Sequence, residues 1–263
     1  EPAPHGCVSG QLAGQWYADF LGLGVLLPVN HIERALNAIF LCHEQGKAVA
    51  SWPAFHITHY ACLEITRGMP DRGLHSVEKT YNTLHVRHGR TFNQPLWWDL
   101  VNDTARGWGN DRHMSAPSVW HVLFALQGFV LNVPDQELWL RPHLPLGVHS
   151  LDTPLFTPIS FGWFRFVERD EQGIYRQHIN VSFDSPITIS TLVLRVPREV
   201  MDVQIQTKGP EGCSRFTKRF GNDGKEKLLE IQFESSLNIQ EPLQVVLTQT
   251  QGAPVRFPKP PKP

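Results

Sequence analysis

Three sets of residues in this chain of 263 carry chemistry at defined spacing. The first lies between Gly10 and Gly24, where Leu12, Trp16 and Phe20 recur every four residues beside Gln11, Gln15 and Asp19. Helical positions four apart share a face, so an aromatic stripe runs next to a stripe of amides and a carboxylate. Rings cover the apolar face of a pyranose and amides bond its hydroxyls, so the pairing suits a sugar. An amphipathic core helix with a polar edge has the same pattern.

The second set lies between Arg90 and Ser115, a stretch rich in Trp, Asn, Asp and Gly with no steady period. Asp99, Asp103 and Asp111 stand among Trp97, Trp98 and Trp108, with Arg106 and Arg112 nearby. Glycosidic bond cleavage needs two carboxyl groups flanking the bond, about 5–5.5 Å apart when configuration is retained. Aspartates that cap turns and pair with arginines read the same way in sequence. A loop of this length in a compact domain is functional or disordered, and its aromatic density argues against disorder.

The third set is histidine. His56 and His59, and His85 and His88, each sit three apart on helical patterns and so share a face. Neither pair forms HExxH or has an acidic third ligand at a familiar spacing, so core or rim histidines are expected and no metal. The chain lacks a glycine-rich phosphate loop, a GxSxG elbow and a CxxC pair. No cofactor is expected.

The elements that must position these residues change character near Asn132. Before it the period is helical. Ile32, Ala35, Leu36, Ile39 and Phe40 follow a helical face, Trp52 to Arg67 makes a helix opened by Pro53, and Asp71 to His88 carries Leu74, Val77, Tyr81 and Leu84. Short links between them favour antiparallel helical hairpins. Ser115 caps a further helix, Ala116 to Phe129, with Trp120, Phe124 and Ala125 turned inward.

From Val133 the period is two. Leu138 and Leu140, Phe164 and Phe166, Leu192 to Val196, Val203 and Ile205, Leu229 to Phe233, and Leu243 to Leu247 alternate as strands. Glu171-Gln-Gly173 and Asn222-Asp-Gly224 read as hairpin turns. The expectation is an α + β chain of two domains: helical hairpins over 1–132, then an antiparallel β-sandwich of about eight strands over 133–252. An extended Pro-rich tail covers 253–263.

Composition narrows the partners. The formal net charge of −1 gives no electrostatic footprint for nucleic acid or an anionic membrane. No apolar run approaches the about 20 residues that span a bilayer. Cys7, Cys42, Cys62 and Cys213 lie far apart, so neither a disulfide framework nor a metal knuckle is expected. The start at Glu1-Pro-Ala-Pro reads as processed or truncated.

Several runs taken in order resemble glycoside hydrolase family 116, which includes the non-lysosomal glucosylceramidases and bacterial and archaeal β-glucosidase-like relatives. They are Gly10-Gln-Leu-Ala-Gly-Gln-Trp-Tyr-Ala-Asp-Phe-Leu-Gly-Leu-Gly24, His31-Ile-Glu-Arg-Ala-Leu-Asn-Ala-Ile-Phe40 and Arg112-His-Met-Ser-Ala-Pro-Ser-Val-Trp-His-Val-Leu-Phe-Ala-Leu-Gln-Gly-Phe129. Leu138-Trp-Leu-Arg-Pro-His-Leu-Pro145, Pro154-Leu-Phe-Thr-Pro158 and Phe161-Gly-Trp163 extend the resemblance to about residue 166.

The resemblance implies that 1–132 is the C-terminal part of an (α/α)6 barrel hydrolysing β-linked glucosides or related β-glycosides with retention. It implies sugar contacts at Gln11, Gln15, Trp16, Asp103, Arg112 and His113. The family's acid/base aspartate falls at Gly10, which cannot donate a proton, and its nucleophile falls in sequence upstream of this chain. The catalytic residues are therefore left unassigned. About five helices are fewer than such a barrel needs, so an open barrel would expose a wide apolar surface. Packing against a missing N-terminal part or a partner chain is expected. Two alternatives stand beside the enzyme: a non-catalytic carbohydrate-binding descendant, motivated by Gly10, and a subunit completing a partner's barrel.

Overall fold

The computed structural model describes residues 8, 10–45, 54–91, 93, 95, 97–99, 103–106, 116–207, 215–222, 226–240 and 242–250. The chain divides into two compact units, Glu1–Leu126 and Gln127–Pro263. The division falls ahead of the composition shift at Asn132 because Phe129–Asn132 is already a strand of the second unit's sheet.

Five α-helices are described: α1 (Ala13–Phe20), α2 (Val29–Gln45), α3 (Ala54–Thr66), α4 (Pro70–Tyr81) and α5 (Trp120–Gln127). Helix α4 opens with Pro70 in its first turn and Asp71 beside it and ends near Lys79, each suited to the helix dipole. It runs on into a π-helical turn, Asn82–Arg87, so the single helix expected to His88 changes its winding after Tyr81. A 3-10 turn, Ala116–Val119, precedes α5.

The helical core gathers Leu12 and Trp16 of α1 and its entry turn, Ile32, Leu36 and Ile39 of α2, Tyr60, Leu63 and Ile65 of α3, and Val122 and Ala125 of α5. The periodic face of α2 is therefore the buried one. Two expected inward residues turn outward: Tyr81, at the junction with the π-helical turn, and Trp120, at the start of α5, are exposed. The loop after α1 is also exposed, with Leu21, Leu23, Val25, Leu26 and Leu27 all open to solvent. The described helices do not by themselves amount to the barrel that the resemblance implies.

The stretch after Arg90 holds a short hairpin, β1 (Trp97–Asp99) against β2 (Thr104–Arg106), where the sequence shows no period. Asp103 turns it with φ at +48°. Trp98 buries itself with Ile57 of α3 and Leu84, which seats the hairpin on the helices.

The second unit contains β3 (Phe129–Asn132), β4 (Glu137–Leu140), β5 (Ser150–Phe156), β6 (Phe161–Glu171), β7 (Ile174–Phe183), β8 (Ile187–Arg195), β9 (Val200–Thr207), β10 (Phe216–Asn222), β11 (Lys227–Ile239) and β12 (Leu243–Gln249). They form two sheets, ordered β10-β11-β8-β4-β3 and β5-β6-β7-β12-β9. Inward residues of both sheets meet in one apolar cluster, among them Leu138, Leu192 and Ile231 from the first and Phe164, Val181 and Val245 from the second. This is a sandwich-like arrangement. The first sheet is mixed rather than antiparallel, because β4 runs parallel to β8.

The apolar run from Val122 onward does not remain helical to Phe129. Gly128, at φ +55°, ends α5 where a Cβ would lie 2.0 Å from the Arg141 carbonyl oxygen, and β3 starts at the next residue. The turn at Gln172-Gly173 joins β6 to β7 with both residues at positive φ, as a tight hairpin requires. The Asp223-Gly224 turn lies outside the described residues, between the paired strands β10 and β11. Cys42 and Cys62 are free thiols; burial raises the Cys62 pKa well above its ordinary value.

Candidate functional site

Helix α1 has three faces, and each does something different. Its aromatic face is core: Trp16 is 1% exposed and stacks on Phe20, with centroids 5.5 Å apart. Its amide face is a clip. The Gln15 side chain is buried, donating to Asp19 Oδ1 at 2.7 Å and to the Gly24 carbonyl at 3.2 Å, and accepting from the Leu26 amide at 2.9 Å. Asp19 accepts from Arg67 Nε and Nη2 at 3.1 and 2.8 Å, which ties α1 to the end of α3. Gln11, in the turn before α1, is exposed.

The third face, which the sequence reading did not single out, carries Tyr17. Its ring is 42% exposed, and its hydroxyl lies 3.2 Å from His59 Nε2. His59 stacks on His121 of α5, with centroids 5.3 Å apart and planes at 26°. Tyr17 meets His121 edge-on at 6.0 Å, while Trp16 and Phe20 approach His121 from below at 6.1 and 6.0 Å. Phe124, one turn along α5, packs on Phe20 at 5.7 Å. His56, one turn before His59, abuts the entry to α1: a Cβ at Gly10 would sit 2.8 Å from its Nδ1.

Helix periodicity explains the assembly locally. His56 and His59 share a face of α3, as the spacing predicts, and His59 on that face meets Tyr17. Among the described residues no group of three or more His, Cys, Asp or Glu side chains is arranged to hold a metal ion. Burial lowers the pKa of His56 and His121, and it lowers that of His59 to about 4, with the nearby charges of His121 and His56 adding to the effect. At neutral pH the imidazoles are therefore uncharged, and each has one N–H donor and one acceptor nitrogen. The result is a wall of aromatic faces and neutral polar edges.

Asp103 is placed elsewhere in the unit. Its Oδ2 accepts from Arg87 Nη1 at 3.2 Å and lies 3.1 Å from His88 Nε2, both delivered by the end of the π-helical turn. Desolvation raises its pKa, but the hydrogen bonds and charges of His88 and Arg87 outweigh this and hold the carboxyl below its ordinary value. Arg112, His113, Trp108 and Asp111 lie outside the described residues, as do the side chains of Trp97, Asp99 and Arg106.

A further carboxylate of the helical unit, Glu64, is structural. Glu64, 0% exposed, accepts from the Tyr60 hydroxyl at 2.6 Å and pairs with Arg72 Nη2 at 2.5 Å. Arg72 also donates to Asn37 at 2.7 Å and lies over the Phe40 ring. Asp19, Glu64 and Asp103 are thus each committed to a cation.

No protein-family model matches the sequence, and no curated protein matches it. Among solved structures, the chain is similar to an α-L-rhamnosidase from Dictyoglumus thermophilum, with a TM-score of 0.48 and 11% identity over 88% of this chain and 24% of that one. It is similar to a Streptomyces avermitilis α-L-rhamnosidase complexed with L-rhamnose, with a TM-score of 0.47 and 13% identity over 89% of this chain and 21% of that one. The bovine atadenovirus type 4 fibre head protein aligns with 39% of this chain and 98% of its own, at a TM-score of 0.26 and 11% identity. The chain spans about a quarter of the length of the rhamnosidases it matches.

Proposed function

We propose that the helical unit supplies part of the sugar-binding wall of a glycosidase-like protein. One observation carries this reading: exposed Tyr17 and half-buried His121 form a cluster of rings over the buried His59, and burial lowers the pKa of both imidazoles and so favours their neutral forms at pH 7. A neutral polyol needs apolar faces for its C–H surfaces and groups that both donate and accept for its hydroxyls, and this wall offers both. In this reading Tyr17, His121 and exposed Gln11 face the sugar, while buried His59, Gln15 and Trp16 hold the wall in place behind them. Arg112 and His113 join it on the strength of the sequence resemblance.

The finer reading, supported by that same resemblance, is retaining hydrolysis of β-linked glucosides by a relative of glycoside hydrolase family 116. Hydrolysis of this kind needs two carboxyl groups flanking the bond. Because Asp19, Glu64 and Asp103 are engaged, the described side chains of this wall bind and orient rather than transfer the proton. The exposed apolar loop Leu21–Leu27 supports the further expectation that this unit packs against another segment or chain.

A non-catalytic binding protein is the second reading, and it rests on Gly10. The His56 ring occupies the space that a side chain there would need, so an acid at position 10 would displace it.

Calorimetric titration with methyl β-glucoside, methyl β-xyloside and L-rhamnose, together with release of p-nitrophenol from the corresponding aryl glycosides, tests these readings. The proposal expects binding of a neutral sugar that His121→Ala and Arg112→Ala each weaken by about tenfold. Binding without turnover supports the second reading. Sugar affinity unchanged in both variants would remove the wall.

A further inference from the structure

The outward face of the sheet β5-β6-β7-β12-β9 carries a pattern that its core packing does not require. Cross-strand register places Asp152 opposite Arg165, Arg165 opposite Asn180, Asn180 opposite Gln244, and Gln244 opposite Gln206. The row crosses all five strands on one face, and none of its members is buried. Strands lie about 4.8 Å apart, so the row extends about 19 Å.

Beside this row, Trp163 sits between Pro154 and Ser182 in register. The ring is 50% exposed, and its indole N–H donates to Asp152 Oδ1. The other oxygen of Asp152 lies 3.8 Å from Arg165 Nε. Single exposed apolar residues are ordinary on a protein surface, but here the ring is pinned by a charged partner rather than left to rotate. Phe161 continues the apolar strip one row further, edge-on to Phe156 at 6.0 Å.

We propose that this sheet face is a binding platform for a neutral oligosaccharide, with Trp163 stacking on one sugar ring and the Asp152–Gln206 row bonding the hydroxyls of its neighbours. The amides of Asn180, Gln244 and Gln206 each donate and accept, as hydroxyl groups do. The one carboxylate and one guanidinium of the row face each other, so the row has no net charge to attract an anion. A linear ligand fits because the polar groups extend in a line across the strands instead of converging on a point. The proposal does not depend on the imidazole wall binding sugar.

Native affinity electrophoresis of the full chain in gels containing mixed-linkage β-glucan, xyloglucan, xylan or heparin tests the platform. Retardation is expected in at least one neutral gel and absent in heparin. Trp163→Ala should weaken retention about tenfold, and Gln244→Ala about fivefold. Circular dichroism verifies that each variant is folded, and Gln244→Ala decides the matter if Trp163→Ala does not fold. Phe220→Ala, at an exposed position on β10 of the other sheet, should leave retention unchanged. No retardation in any neutral gel, retention at the parent level in both sheet-face variants, retention lost with Phe220→Ala, or retention confined to heparin would each overturn the proposal.

Discussion

The two units bury different chemistry. The strand unit rests on one continuous cluster of aliphatic and aromatic side chains, from Leu138 through Phe164 to Leu247. Its buried charged group Glu226 pairs with Arg195 and lies near His143, outside that cluster. The helical unit threads ions and imidazoles through its core: Glu64 with Arg72, Asp19 with Arg67, and His59 on His121. An apolar core asks only for shape and volume, whereas a buried ion pair returns its desolvation cost only in a fixed geometry. The helical unit spends stability on holding particular groups in particular places.

The sharpest way to break this contrast is to remove one ion of the buried pair. Arg72→Leu leaves Glu64 uncompensated and should cost about 3–5 kcal/mol in chemical denaturation followed through the helical signal. Adding Glu64→Leu should restore much of that loss. If Arg72→Leu costs no more than a surface substitution, the pair is not a determinant of the unit.

A smaller effect is expected at the clip. Gln15→Leu removes the bonds to the Gly24 carbonyl and the Leu26 amide, which water can replace, and should cost about 0.5–1.5 kcal/mol. Hydrogen exchange at Leu26 should accelerate in this variant. Protection that stays at the parent level would show that the loop is held by other contacts.

A pH-dependent effect follows from proton linkage at His59. Its folded pKa of about 4 lies below the ordinary 6.5, through burial first and then the charges of His121 and His56. Between those values the unfolded chain binds a proton that the folded chain refuses, so stability falls as the pH drops from 6.5 toward 4. The slope for one such histidine is at most about 1.4 kcal/mol per pH unit. His59→Phe should flatten it for the helical unit; an unaltered slope would assign the effect to other groups.

The two units also differ in how plainly the sequence announces them. In the strand unit, side chains alternate with the pleat, so Leu138, Phe164, Leu192, Val203, Ile231 and Val245 are legible as inward residues. Strand β7 is harder to see because the buried amide Gln177 interrupts its apolar period; Gln177 accepts from Gln249 at 2.8 Å instead of meeting the core. The parallel pairing of β4 with β8 is invisible to a period of two, which carries no strand direction. Strand β3 follows α5 in a stretch that is apolar apart from Gln127 and Gly128, and Gly128 marks the change.

In the helical unit the aromatic face of α1 is legible, but its role is not. Trp16 and Gln15 have the types a sugar site needs, yet one is core and the other secures a loop. Tyr17 carries no periodic signal, and His59 and His121 come together from segments far apart in the chain. The one available clue was that His56 and His59 share a face. What that face met depended on tertiary packing, which spacing within one helix does not encode.

The central claim is that the Tyr17–His59–His121 wall recognises a neutral sugar through uncharged imidazoles. Imidazole 15N spectra of the full chain at pH 7, recorded during titration with methyl β-glucoside, methyl β-xyloside or L-rhamnose, test it most directly. Neutral-ring signals for His59 and His121 that shift saturably with at least one of these sugars are the predicted result. Signals that stay fixed throughout all three titrations, or that report charged rings at pH 7, would contradict it.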